Sequence, residues 1–409
     1  MPYNDRLYCL WLREKYPAAS PIPKKLLDAF GSAEAVYSAD AADILERCGV
    51  TKSEIARLSG KSLDRAKRVD EYCFRYGVGV LDYFDPMYPA RLREIDTPPV
   101  LLFFRGILPD LERNVLIAMV GMRKMSDYGR VITHRFAFEA AAAGAVVVSG
   151  MAEGIDGMAH KGAIDADGVT LAVLGSGIDV IYPKMHTYLY GRIMEKGAVL
   201  SEYFPGEEPK RENFPRRNRI LAALSHATLV TEADIGSGSL ITARYTKEYG
   251  RPLYAAPGPV NSRKSRATNL LIKEETALVA SEAFDLLSPF ELDYPQKIRI
   301  ENIRRKNYFI GNWNYKDETQ GRQARTAIPA TDTQAEIPPA EENAAVVSRE
   351  DELAGVERVI YQKLLRRSPL TAEELADEAI PFSEVVTALT MLEIGGYAEA
   401  LPGGAYRVL

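Results

Sequence analysis

Six short stretches of this chain are apolar at nearly every position, and segments long enough to be helices separate them. They are Val115–Val120, Ala145–Val148, Thr170–Leu174, Ala198–Leu200, Ala227–Val230 and Pro252–Ala255. A strand with one wet face alternates apolar and polar residues. A strand without alternation is buried on both faces, which is the situation in a parallel sheet covered by helices. The intervening segments Asp127–Ala143, Met185–Lys196 and Ser239–Tyr249 carry helical patterning. Strand and helix alternating over residues 113–295 predict an α/β fold, a Rossmann-like doubly wound parallel sheet.

The flanks read differently. Residues 1–80 show helical periodicity in Leu7, Leu10 and Trp11 and again in Leu26, Leu27 and Phe30, with Gly31 ending one helix and Ser32 capping the next. Thr51 and Glu54 are spaced as a capping box. Short helices joined at glycine turns resemble a SAM-like or helix-hairpin-helix unit; its hairpins carry little basic charge, so packing or protein contact is expected of it. Residues 81–112 are a connector with turn signals at Asp85-Pro86 and Pro98-Pro99 and a short strand at Val100–Phe104. Residues 296–352 turn rich in Pro, Ala and acid without periodicity, which predicts a flexible linker. Residues 353–409 read as a winged-helix domain: helices at Val356–Leu365, after the Thr371–Glu374 capping box, and at Ser383–Ile394, stopped by Gly395-Gly396, then a hairpin turning at Pro402-Gly403-Gly404. The third helix has no Lys or Arg, so base reading in a groove is not expected of it.

Composition excludes several classes. No apolar run approaches the roughly 18 residues that span a membrane, and Met1-Pro2-Tyr3-Asn4-Asp5 does not open a signal peptide. Three dispersed cysteines (Cys9, Cys48, Cys73) and four dispersed histidines predict no metal site and a reducing, cytoplasmic setting. The net charge of −5 does not announce a nucleic-acid binder, so such a role needs a local patch. One exists: Lys210, Arg211, Arg216, Arg217 and Arg219 put five cations within ten residues, beside Asn218, with Phe214 among them and Glu212 the one carboxylate. Cations around an aromatic ring suit a phosphate backbone whose bases are free to stack.

In an open parallel sheet, ligands sit beyond the carboxyl ends of the strands. The first strand ends in Gly121-Met122-Arg123-Lys124-Met125-Ser126, where a forked donor, Arg123, meets the helix start at Ser126. The second ends in Ser149-Gly150 and runs to Asp156, with His160 one helical turn on, where the two side chains could pair. The third ends in Gly175-Ser176-Gly177, followed by Tyr182-Pro183-Lys184. Gly236-Ser237-Gly238-Ser239, at a helix start, is the best phosphate cradle in the chain. A G-x-G-x-x-G fingerprint is missing after the first strand, and so is a Walker A lysine, which argues against NAD and against an ATP motor. No cofactor is expected. No triad assembles from the spacing, so no catalytic residue is assigned; Asp156 and His160 are expected to satisfy buried polar groups.

These residues resemble those of a known family. Ser149-Gly150-x-Ala152-x-Gly154-Ile155-Asp156, His160, Gly175-x-Gly177-x-Asp179-x-x-Tyr182-Pro183, Phe214-Pro215-x-Arg217-Asn218-Arg219, Glu232-Ala233 and Ser237-Gly238-Ser239 follow, in order, the pattern of the DNA-processing protein A family, DprA or Smf. The resemblance implies a cytoplasmic, homodimeric, non-enzymatic protein that binds and protects incoming single-stranded DNA in natural transformation and loads the RecA recombinase. It implies that Arg123 and Lys184 bind phosphate and that Arg211, Phe214, Arg217, Asn218 and Arg219 lie in a DNA-contact loop. Met122, His186, Ala267 and Glu275-Thr276 depart from the family pattern. Another reading is a nucleotide-monophosphate phosphoribohydrolase on a related sheet, but the loop through Ser239-Leu240-Ile241-Thr242 lacks the glutamate that such enzymes place there. A third is an interaction hub with an inert sheet.

Overall fold

The computed structural model describes residues 3–305, 353, 355–377, 380–394, 397–401 and 405–408. They fall in two compact units, Met1–Ala324 and Arg325–Leu409.

The first unit is built on one nine-stranded sheet. Its strands are β1 (Gly79–Asp82), β2 (Leu101–Gly106), β3 (Leu116–Val120), β4 (Val146–Ser149), β5 (Thr170–Leu174), β6 (Ala198–Ser201), β7 (Ala227–Val230), β8 (Leu253–Ala255) and β9 (Leu278–Val279). They lie in the order β1-β2-β6-β5-β4-β3-β7-β8-β9. From β6 through β9 the pairing is parallel, in register from Leu171 against Ala198 to Tyr254 against Leu278. β2 joins β6 antiparallel, and β1 joins β2 antiparallel. The chain winds from β3 outward to β6 and then returns to β7 on the other side of β3. The strand order therefore reverses at β3, and a crevice must open beyond its carboxyl end.

All six apolar runs are strands. Successive β3 residues point to opposite faces, with Leu116 and Val120 in one core and Ile117 and Met119 in the other. The Asp127–Ala142 and Ile155–Asp165 helices cover the second face through Phe136, Ala137, Ala140, Ala159 and Ala163. The Thr187–Lys196, Asn213–Leu224 and Ser239–Glu248 helices contribute Tyr190, Ile193, Ile220, Leu221, Leu224 and Ala243 to the first.

Three features differ from the sequence expectation. The connector is part of the sheet, since β1 and β2 extend it by two antiparallel strands. The N-terminal helices share the sheet's core: Leu10, Trp11 and Leu26 belong to the same cluster as Leu101 and Phe103, and Arg13 Nε donates to Glu202 O at 3.1 Å. The glycine stop at Gly31, the Ser32 cap and the Thr51–Glu54 capping box are all formed there. Finally, the segment after residue 295 starts packed, with Ile298 and Ile300 buried and Arg299 N donating to Ala143 O at 2.9 Å ahead of the Glu301–Arg305 helix. The expected linker from residue 306 on lies outside the described residues.

The second unit holds helices Gly355–Arg366, Ala372–Leu375 and Phe382–Ile394 and a three-stranded antiparallel sheet of Leu370–Thr371, Ala405–Val408 and Ala398–Ala400, in that order. Its Thr371–Glu374 capping box is formed. The Gly395-Gly396 stop and the Pro402–Gly404 turn lie outside the described residues.

Candidate nucleic-acid interface

A cavity of about 350 Å³ opens where the strand order reverses. The loop after β3 supplies Gly121 and Arg123, the loop after β4 supplies Ala152 and Asp156, and the segment after β6 supplies Arg211, Phe214, Arg217 and Asn218. The loop after β7 supplies Ser237, Gly238 and Ser239. Three of the sequence's four strand-end loops and the basic segment thus converge on one cavity.

Phe214 organises the entrance. The Arg123 guanidinium carbon lies 5.3 Å from the centre of the Phe214 ring, and the Tyr182 ring lies 5.6 Å from it, tilted by 48°. Gly175 packs against the ring: a Cβ there would meet Phe214 Cδ1 at 3.0 Å. Arg123, Arg211 and Lys184 are exposed. Lys184 stands outside the cavity, in the 3-10 turn Lys184–His186 that follows Tyr182. The Ser239–Glu248 helix, which begins at the glycine-serine loop, also lines the cavity. Among the described residues, the Gly238 and Ser239 amides have no main-chain acceptor, and Ser237 Oγ and Ser239 Oγ lie 2.9 Å apart. Unpaired amides at a helix start favour an anion.

The segment around Phe214 is a helix, Asn213–Leu224, where the resemblance implied a loop. Pro215 sits in the first turn, where a missing N–H costs nothing. Helix periodicity then sorts the cations. Arg217 and Arg219 turn inward and are buried. Arg217 donates to Gly150 O at 2.7 Å, to Val173 O, and to Asn218 Oδ1 at 3.2 Å. Arg219 donates to Glu202 Oε1 at 2.8 Å and to Thr97 O at 2.8 Å. The Arg219 donors are spent on the protein, whereas Arg217 gives Nε and Nη1 to the protein and still lines the cavity, so the DNA contact implied for Arg219 is not available in this arrangement. Asn218 lines the cavity with Nδ2 3.4 Å from Gly238 O.

Other candidates are also structural. Ser149 is buried and donates to Met119 O at 2.6 Å. Gly150 makes room for Arg217. Gly177 packs against the 204–207 turn, donating to Glu207 O at 2.7 Å. Ser126 caps the Asp127–Ala142 helix, accepting from Gly129 N at 3.0 Å, and is itself held by Glu232, which accepts from Ser126 N at 2.8 Å and from its hydroxyl. Gly236 takes φ +83° in the turn before the cradle.

Asp156 and His160 do not pair. His160 Nδ1 meets Thr170 Oγ1 at 2.7 Å, and burial pushes its pKa down to about 3, so the ring is neutral. Asp156 accepts from Ala152 N at 3.3 Å; burial raises its pKa, and the neighbouring Arg217 opposes that rise. Both are buried polar groups beneath the sheet edge, as the sequence suggested.

Sequence reasoning gave no role to Glu232, to the Tyr182 ring, or to a second cationic group at the rim. Arg263 and Arg266 reach Asp234 at 3.7 and 2.9 Å, and Lys264 Nζ donates to Met125 O at 3.0 Å. The run Arg263-Lys264-Ser265-Arg266 was the available signal.

The chain is similar to proteins already known. The family model described as DNA recombination-mediator protein A matches residues 79–291, from the first residue of β1 to just beyond β9. Protein Smf of Escherichia coli K12 is 34% identical over 322 residues, covering 78% of this chain and 75% of that protein. DNA processing protein DprA of Streptococcus pneumoniae R6 is 42% identical over 207 residues, covering 51% of this chain and 72% of that protein. The X-ray structure of DNA processing protein A from Streptococcus pneumoniae superposes with TM-score 0.57 at 34% identity over 68% of this chain and 95% of that one. The chain belongs to the DNA recombination-mediator protein A family.

Proposed function

We propose that this protein binds single-stranded DNA along the carboxyl rim of its sheet, with Phe214 and Tyr182 as stacking surface and Arg123, Lys184 and Arg211 as phosphate contacts. One observation carries the reading: an exposed cation lies over an aromatic ring at a cavity that is also lined by unpaired amides at a helix start. Backbone charge and base faces are then engaged together, which a flexible single strand permits and a stacked duplex does not. Arg217 and Arg219 act as scaffold beneath this surface.

The finer parts of the proposal rest on family membership. They are protection of incoming single strands in natural transformation, loading of RecA, a cytoplasmic location and a homodimer. The domain scheme of a SAM-like N-terminal unit and a C-terminal winged helix belongs with them. The exposed Leu278 and Val279 on edge strand β9 support a second copy as a partner.

The test is fluorescence anisotropy with single- and double-stranded oligonucleotides across a salt series. Single-strand affinity is expected to fall steeply with salt and to exceed duplex affinity. Each phosphate contact adds about −0.7 to the log–log slope. Arg123→Ala and Lys184→Ala are each expected to flatten the slope by about that amount. Unchanged slopes in both variants would overturn the assignment.

A further inference from the structure

Tyr182 leads away from the cavity onto a surface that the reading above leaves unused. From Val180 to Met194 this acidic chain has no Asp or Glu, but it has Lys184, His186 and Arg192. In the same stretch Tyr182, Met185 and Tyr188 are exposed by 43%, 72% and 74%, while their neighbours Tyr190 and Ile193 do the packing. Three large apolar side chains left in water on so short a segment are unusual for a solvated surface, and cations flanking aromatic rings form the pattern that single strands use. Tyr188 is held in place without being covered. Its hydroxyl accepts from Arg192 Nη1 at 2.8 Å, Arg192 Nε is anchored on Glu195 at 3.1 Å, and the guanidinium carbon stands 5.8 Å from the ring centre. Tyr182, in ring contact with Phe214, joins this surface to the cavity.

We infer that Tyr188, with Tyr182, Lys184 and Arg192, forms a second stacking subsite that receives nucleotides leaving the Phe214 cavity. The inference rests on the single-strand reading above and extends it from the rim onto the first turns of the Thr187–Lys196 helix. Tyr188 lies six positions after Tyr182, and at roughly 3.5 Å per residue the two are no more than about 20 Å apart. A strand that fills the cavity therefore reaches Tyr188 within a few further nucleotides.

The experiment compares fluorescein-labelled oligothymidylates of two lengths, one of about six nucleotides and one of about twenty, on the full chain. Tyr188→Ala is expected to weaken the long oligonucleotide about five-fold or more and to leave the short one unchanged, at an unaltered melting temperature. Tyr188→Phe, which keeps the ring and loses the Arg192 contact, is expected to retain most of the long-oligonucleotide affinity. A 2-aminopurine near the end of the long strand is expected to be quenched by the wild type and by Tyr188→Phe, but not by Tyr188→Ala. Equal affinity of wild type and Tyr188→Ala for the long strand overturns the subsite while leaving the cavity reading intact. Failure of the wild type to bind either length overturns both.

Discussion

Arg217 occupies the space that a side chain on Gly150 would need. Its Nη2 atom lies 2.5 Å from where a Cβ on Gly150 would stand, and its Nη1 donates to the Gly150 carbonyl at 2.7 Å. The glycine and the arginine are one device. It ties the Asn213–Leu224 helix to the ends of β4 and β5 and holds Phe214 over Gly175.

This relationship separates two arginines that the sequence treats alike. Arg217→Ala leaves the Gly150 and Val173 carbonyls without their donor and Asp156 buried without its nearby cation. Leaving buried acceptors without their donor costs about 1–3 kcal/mol. Arg123→Ala removes an exposed side chain and is expected to change stability by less than about 0.5 kcal/mol while weakening DNA binding. Urea denaturation beside anisotropy checks both. An Arg217→Ala protein with an unshifted midpoint and a flattened salt slope would return Arg217 to the DNA.

The sheet was legible because its strands are buried on both faces: burial on two sides removes alternation and leaves an apolar run that nothing else explains. β9 was not, because Leu278 and Val279 are two exposed residues on an edge. β1 was not, because Gly79-Val80-Leu81-Asp82 is short and mixed. The site was half legible. Loop composition pointed to the right rim, since every strand of a parallel set ends on the same side. The direction of each cation was hidden, because it depends on the phase of a helix whose start at Asn213 has no side-chain cap to announce it. Arg216 and Arg217 are adjacent in sequence, yet one is half exposed and the other buried.

Glu232 holds the Arg123 loop from behind. Its carboxylate takes two donors from Ser126, the residue that caps the following helix. Glu232→Ala is expected to lower stability by about 1–3 kcal/mol through the lost acceptors and to weaken single-strand binding, although the side chain is buried away from the strand. Glu232→Gln keeps one acceptor and is expected to recover much of both. The check is a melting curve and a binding isotherm on each variant. Glu232→Ala binding at wild-type affinity would show that the loop keeps its shape without it.

Two neutral histidines contribute to the loss of stability in acid. His160 lies under β5, and His226 accepts from Leu116 N at 3.0 Å while its Nε2 meets Tyr294 Oη at 2.9 Å. Burial lowers the pKa of each from 6.5 to about 3. The unfolded chain therefore takes up these protons first. The stability is fully present above about pH 6.5 and declines as pH falls toward 3, by about 2 kcal/mol per histidine at pH 5. Asp156 and Asp82 act with the opposite sign, because burial raises their carboxyls and acid then favours the folded state. His226→Gln keeps an acceptor for Leu116 N and removes one of the two titrations. Its urea midpoint is expected to fall less steeply between pH 7.5 and 5 than that of the wild type, and equal slopes would mean that His226 takes up its proton in the folded protein as readily as in the unfolded one.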